Sequence, residues 1–162
     1  MTEHERFSEI PMRPIGFVRS PHSSREDVPR GLGATHLAEG GIELGRVLAD
    51  GLRDVEGFSH LFVLWVFHRS EGYELIKKNP TDGLEHGVFA TRSPHRPNPI
   101  GLTVVELLRR EGHLLHVHGV DMLDGTPVLD VKPYLSSVPA EKLRRGWLEE
   151  AERRASRLRA AR

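Results

Sequence analysis

The chain has 162 residues, no cysteine and ten histidines, and its 23 Lys plus Arg balance 23 Asp plus Glu. That length builds one sizeable core and reads as one domain. The missing cysteine excludes disulfides, thiolate metal sites and a cysteine nucleophile, and the balanced charge says nothing about partners.

The opening "MTEHERFSEIPMRP" is polar and mixed in charge, without the apolar core of a secretory signal. "PIGFVRS" alternates as a strand and stops at Ser20-Pro21. His22 to Gly41 is polar and turn-rich, an ordered loop leading into the short strand "GIELG". "RVLADGLRDVEGF" spaces Val47, Leu48, Leu52 and Val55 as one helical face, weakened by Gly51. "HLFVLWVFH" is apolar on both strand faces, which predicts a central strand covered on each side. Its apolar run, Leu61 to Phe67, is far too short to cross a bilayer, so a soluble cytoplasmic protein is expected.

"HGVFAT" and "IGLTVVELLRR" read as strands flanking a proline-rich loop. Glu111-Gly112 then turns the chain into "HLLHVHGVDML", and "DGTP" turns it into "VLDVKPY". Six or seven strands on short connections, with one helix, argue against a doubly wound sheet. The pattern is mainly β, a mostly antiparallel sheet or a barrel with short helices and a C-terminal helix. Residues 1–138 make this β domain. Residues 139–162 add a basic amphipathic helix to it, with Leu143, Trp147, Ala151, Ala155 and Leu158 as its apolar stripe. This tail holds eight Lys or Arg against four Glu, so the rest of the chain is net acidic. Such a basic face is a phosphate-binding surface or simply the solvated back of a helix.

No glycine-rich phosphate cradle, nucleophile elbow or zinc-helix motif occurs. His116 and His118 share a strand face, but two ligands without a third do not make a metal site, and no metal is expected. His60 and His68 bracket the apolar strand, and Arg69 doubles the polar chemistry at its end. Asp121 and Asp124 bracket a turn, while Asp130 and Lys132 form a same-face surface pair. The proline loop sets Arg92, His95, Arg96 and Asn98 among Pro94, Pro97 and Pro99. Each proline fixes its φ and biases the preceding residue toward extended geometry, so the loop loses little entropy when something binds. Stiffly held guanidinium groups suit a carboxylate, a phosphate or a nucleoside edge. A basic turn joining two strands has the same composition.

Three stretches in this order, "FSHLFVLWVFH", "GVFATRSPHRPNPIGLTVVEL" and "DGTPVLDVKPY", resemble the TsaA-like family, also called the TrmO or YaeB family. "IGFVRSPHSSREDVPR" resembles its N-terminal strand and loop, and the match runs over roughly residues 14 to 135. The resemblance implies an S-adenosylmethionine-dependent methyltransferase on a small β-barrel, a homodimer with its cofactor near the subunit interface. It implies transfer RNA as substrate, methylated at N6 of threonylcarbamoyladenosine 37.

Carried over motif by motif, the cofactor contacts are Leu32, Gly33 and Ala34, His68 and Arg69, Arg92, Leu102, and Asp121, Met122, Leu123 and Asp124. Asp124 is the choice for steering the acceptor, and Arg96, Asn98, Lys132 and Tyr134 fall to the substrate side. Two features depart from the family. Gly31 follows "VPR" where many members have Gln, and a short helical tail follows "KPY" where bacterial members commonly carry a further domain. The second leaves the acceptor open to a small molecule or another RNA, and a cofactor-binding regulatory protein without turnover is a third reading.

Overall fold

The computed structural model describes residues 9–30 and 34–160. Eight strands form: β1 (Gly16–Arg19), β2 (Glu39–Leu44), β3 (His60–Val66), β4 (Ile76–Lys78), β5 (Glu85–Gly87), β6 (Ile100–Glu111), β7 (Leu114–His118) and β8 (Pro127–Pro133). One α-helix, α1 (Trp147–Ala160), ends the described chain. Mainly β with a C-terminal helix is therefore the observed class.

Six strands pair in the order β1-β2-β7-β6-β3-β8, and β8 returns to β1 through Gly16 opposite Val128, which closes the sheet on itself. Every pairing is antiparallel. The period-2 pattern decides which side chains point inward. Val18, Ile42, Leu61, Val63, Val105, Leu115, Val117 and Val128 are buried inside the ring with Val120 and Met122. Each fully buried apolar side chain of this kind contributes roughly 1.5–3 kcal/mol. Bulges near Leu64/Trp65 and between Leu107 and Arg109 bend β3 and β6 so that a ring of few strands closes.

Three sequence expectations are corrected. The segment after β2 is not an α-helix but two 3-10 segments, Arg46–Leu52 and Val55–Gly57, and Val47 is 93% exposed rather than on a buried face. The carbonyls of Ala49 and Leu52 accept hydrogen bonds from the Arg110 guanidinium, and Asp54 sits in the left-handed region at φ 68°, which stops a helix from running through. "HGVFAT" gives only the short β5, which pairs with β4 outside the ring and passes into a 3-10 turn, Val88–Ala90. Finally, β3 is central, but only its inner face is fully buried. Phe62, Leu64 and Val66 on the outer face are half-buried.

The tail also differs from its predicted stripe. Leu143 lies before the helix, Leu158 is 71% exposed, and Gly146 at φ 56° turns the chain into Trp147. The helix docks on the β4–β5 hairpin rather than on the ring. The Trp147 indole stacks on His86 at 4.0 Å, and its Nε1–H donates to the Ala90 carbonyl at 2.9 Å.

Candidate functional site

Antiparallel pairing brings the ends of β1, β3 and β7 and the starts of β2, β6 and β8 to one end of the ring. The three long connections, residues 20–38, 67–99 and 119–126, emerge there together. The opposite end carries the 3-10 segments and the tight Gly112 turn. Chemistry in this protein therefore gathers at the loop end.

The proline loop is braced from within and from β3. Arg96 Nη1 donates to the carbonyls of Thr91 (3.1 Å) and Ser93 (3.4 Å), so this guanidinium is turned onto its own loop. Ser70 Oγ donates to the Pro94 carbonyl at 3.0 Å, and His95 Nδ1 lies 3.2 Å from that hydroxyl and 3.1 Å from the Glu71 carbonyl. Phe67 N–H bonds to the Pro99 carbonyl at 2.8 Å, which fixes where the loop enters β6. Arg92 is exposed, and its guanidinium donates to the Leu102 carbonyl. The loop is a rigid arm with one cation on its outer side.

The first connection is tied down separately. The Asp27 carboxylate accepts from the amides of Ser24 (2.8 Å) and Ser23 (2.9 Å) and from Ser23 Oγ (3.1 Å). These bonds, that of Ser24 first, hold its pKa below the usual aspartate value. Arg69 Nη1 donates to the Ser23 carbonyl at 3.2 Å and so links the end of β3 to this turn.

The third connection supplies the acids. Asp121 Oδ1 accepts from Thr103 Oγ1 at 2.6 Å, and the same hydroxyl accepts from Trp65 Nε1 at 3.0 Å. Asp124 Oδ1 accepts from the Ser20 amide at 3.0 Å, while its own N–H donates to the His22 carbonyl at 2.8 Å. Met122 is buried in the core, so it presents backbone rather than side chain to this end.

Of the predicted residues, Ala34, His68, Arg69, Arg92, Arg96, Asn98, Leu102 and Asp121 to Asp124 lie on or beside the loop end. Leu32 and Gly33 lie outside the described residues. Lys132 and Tyr134 stand at the other end of β8, where Lys132 pairs with Asp130 at 2.8 Å and the Tyr134 ring packs on Phe62 at 5.0 Å. Within one chain they are not brought to the others. His116 and His118 each face a glutamate, Glu111 at 3.3 Å and Glu106 at 3.5 Å. Among the described residues no group of three or more His, Asp or Glu is placed to hold a metal ion.

Sequence reasoning missed Trp65, Thr103 and the Ser70–His95 brace. A signal existed for the first two: a tryptophan in a buried strand needs a partner for its N–H, and Thr103 is the polar residue on the inward register of "IGLTVVEL". A groove of about 350 Å³ between Ile15–Phe17 and Glu43–Arg46 lies away from the loop end and gathers none of these groups.

The family model for the tRNA-methyltransferase O N-terminal domain matches residues 17–140. The chain is 45% identical over 138 residues to a probable S-adenosyl-L-methionine-binding protein of Pyrococcus abyssi, covering 85% of this chain and 75% of that protein. It is 41% identical to the Escherichia coli tRNA (adenine(37)-N6)-methyltransferase over 79% of this chain. The crystal structure of TrmO from Pseudomonas aeruginosa superimposes with a TM-score of 0.70 at 36% identity, over 86% of this chain. The chain spans 59% of the E. coli enzyme and 63% of the P. aeruginosa chain.

Proposed function

The chain belongs to the tRNA-methyltransferase O N-terminal domain family, and from that premise we propose that it is an S-adenosylmethionine-dependent methyltransferase acting on transfer RNA. The acceptor is N6 of threonylcarbamoyladenosine at position 37, and the cofactor lies at the loop end of the ring. One observation carries the reading: a cation and a carboxylate are both anchored to neighbouring residues of β6, Arg92 on Leu102 and Asp121 on Thr103.

That pair fits the cofactor's own charges. An exposed guanidinium suits its carboxylate, and a carboxylate with one oxygen engaged suits its ammonium or ribose hydroxyls. Backbone groups of Met122 and Leu123 suit the adenine edge. His68, Arg69 and Ala34 complete the wall. When bound, S-adenosylmethionine supplies an electrophilic methyl group on a sulfonium with a neutral thioether as leaving group. The protein's task is alignment, which is where positioned groups contribute most. The ureido-type N6–H of the modified base is acidic enough to lose its proton to solvent water as N6 accepts the methyl group, without a strong base. Asp124, held by the Ser20 amide through one oxygen, steers the acceptor. On the proline loop Asn98 is left to the substrate side, since the Arg96 guanidinium braces the loop itself.

We read the closed ring, from β1 to β8, as a small antiparallel β-barrel with α1 as an appended helix. The protein acts as a cytoplasmic homodimer. In one chain Arg92, His68, Arg69 and Asp124 face open solvent, and a second subunit would enclose them. The half-buried outer face of β3 continues into exposed Ile100, Leu102 and Val104 on β6, an apolar surface suited to that contact. Lys132 and Tyr134 border this face and would reach the substrate from across the dimer.

A second reading, with another RNA or a small molecule as acceptor, rests on the tail. Arg145 pairs with Glu152, Arg153 with Glu149 and Arg154 with Glu150, which leaves fewer cations for phosphates. Radiolabelled methyl transfer to transfer RNA from cells lacking this gene separates the readings. Label on adenosine 37 supports the first, and label absent from transfer RNA overturns it.

A further inference from the structure

On β6 and β3, Gly101 sits opposite Trp65. A Cβ on Gly101 would lie 2.2 Å from the indole Cε2 and 2.4 Å from Cζ2, so the indole lies flat against bare backbone there. That placement aims Trp65 Nε1 along β6 at Thr103, two residues on and on the same inward face. Both side chains are buried, Trp65 at 6% and Thr103 at 7% exposure. An indole nitrogen only donates, so the Thr103 hydroxyl must accept from it and must give its single proton to Asp121. The 2.6 Å separation is that of a charge-assisted bond to a carboxylate. The hydroxyl is therefore locked in one rotor, and Asp121 Oδ1 is locked with it. Among the described residues this is the one hydrogen bond to that carboxylate, so Oδ2 remains available.

We propose that Thr103, oriented by Trp65 over Gly101, is a positioning residue that presents Asp121 Oδ2 to the ammonium or a ribose hydroxyl of a bound adenosyl amino acid. The inference rests on the cofactor reading above. It adds that affinity depends on a buried relay that touches no ligand atom.

The test is calorimetry with S-adenosylhomocysteine and with methylthioadenosine, which keeps the ribose hydroxyls but lacks the amino-acid group. Thr103→Val is expected to lower S-adenosylhomocysteine affinity about tenfold, with Thr103→Ser restoring most of it. Loss confined to S-adenosylhomocysteine assigns Oδ2 to the ammonium, and equal loss for both ligands assigns it to the ribose; either upholds the relay. Because Thr103→Val strands the buried indole N–H, Trp65→Phe/Thr103→Val is measured beside it. That double variant leaves no buried donor unpaired and should show the same loss. In an Asp121→Ala background Thr103→Val should cost nothing further, whereas a purely structural residue would add its full effect. Wild-type binding that Thr103→Val leaves unchanged, or additive losses with Asp121→Ala, overturns the relay alone. No binding of either ligand by the wild-type protein overturns the cofactor reading, and the relay's role with it.

Discussion

Arg92 and Arg96 stand four residues apart on one loop and do different work. Arg96 Nη1 donates to the carbonyls of Thr91 and Ser93, whereas the exposed Arg92, among the described residues, hydrogen-bonds to the Leu102 carbonyl alone. Arg92→Ala should therefore weaken S-adenosylhomocysteine binding by about 10- to 100-fold, the usual range for a lost charged hydrogen bond, with the melting temperature little changed. Arg96→Ala should instead lower stability and loosen the loop, and calorimetry beside thermal melts separates the two. Gly101 has a steric role. Its replacement by Ala sets a methyl group 2.2 Å from the Trp65 ring, with ring and backbone both fixed. A loss of about 1–3 kcal/mol in urea unfolding is expected, and an unchanged midpoint would mean the indole can slide aside.

Among the elements, the β4–β5 hairpin and α1 form one unit. Asp82, with its side chain 2% exposed, accepts from the Leu84 amide at 3.0 Å and from His86 at 2.9 Å, and His86 stacks on Trp147. The Leu84 amide, ahead of His86, holds the Asp82 carboxyl below its ordinary 3.8. A carboxyl with a lowered folded pKa gives stability that is present above the unfolded value and lost as pH falls through the folded one. Stability should thus drop below about pH 4, and Asp82→Asn should flatten that part of a melting-temperature profile. An acid limb unchanged in the variant would assign the loss to other carboxylates. Trp147→Ala removes both the stack and the bond to Ala90, two residues before Arg92. A half-buried tryptophan should cost about 1–3 kcal/mol, less than one in a core. Weakened cofactor binding in this variant would tie the tail to the proline loop.

For the whole molecule, the apolar outer surface of β3 and β6 predicts a dimer at micromolar concentration in sedimentation. A monomer would count against a site closed by a second subunit. With Arg145, Arg153 and Arg154 paired to glutamates, Lys142, Arg144 and Arg157 are among the tail cations that remain for phosphates. If these contact transfer RNA, reversing the three charges should reduce the slope of log affinity against log salt by about one per lost contact, with cofactor affinity intact. A slope equal to that of the wild type would remove the tail from RNA binding.

The strands of the ring and the stiff loop are legible from residue order, because period-2 burial and proline geometry are local properties. Val18, Val63, Val105 and Val117 announce inward faces wherever the strand ends up, and Pro94, Pro97 and Pro99 stiffen the loop whatever surrounds it. Motif resemblance supplied the candidate residues, which local chemistry left ambiguous. Tertiary structure alone decided the rest. Val47, Leu48, Leu52 and Val55 are spaced for a helix, but Arg110, over fifty residues away, takes the carbonyls a helix would use. Nothing local distinguishes Arg92 from Arg96; the turn of one onto its own loop does. Thr103 looks like any strand threonine until ring closure sets it between Trp65 and Asp121, 38 and 18 residues distant. A hydrogen-bond relay depends on angles and separations across strands, and those exist only once the sheet has closed.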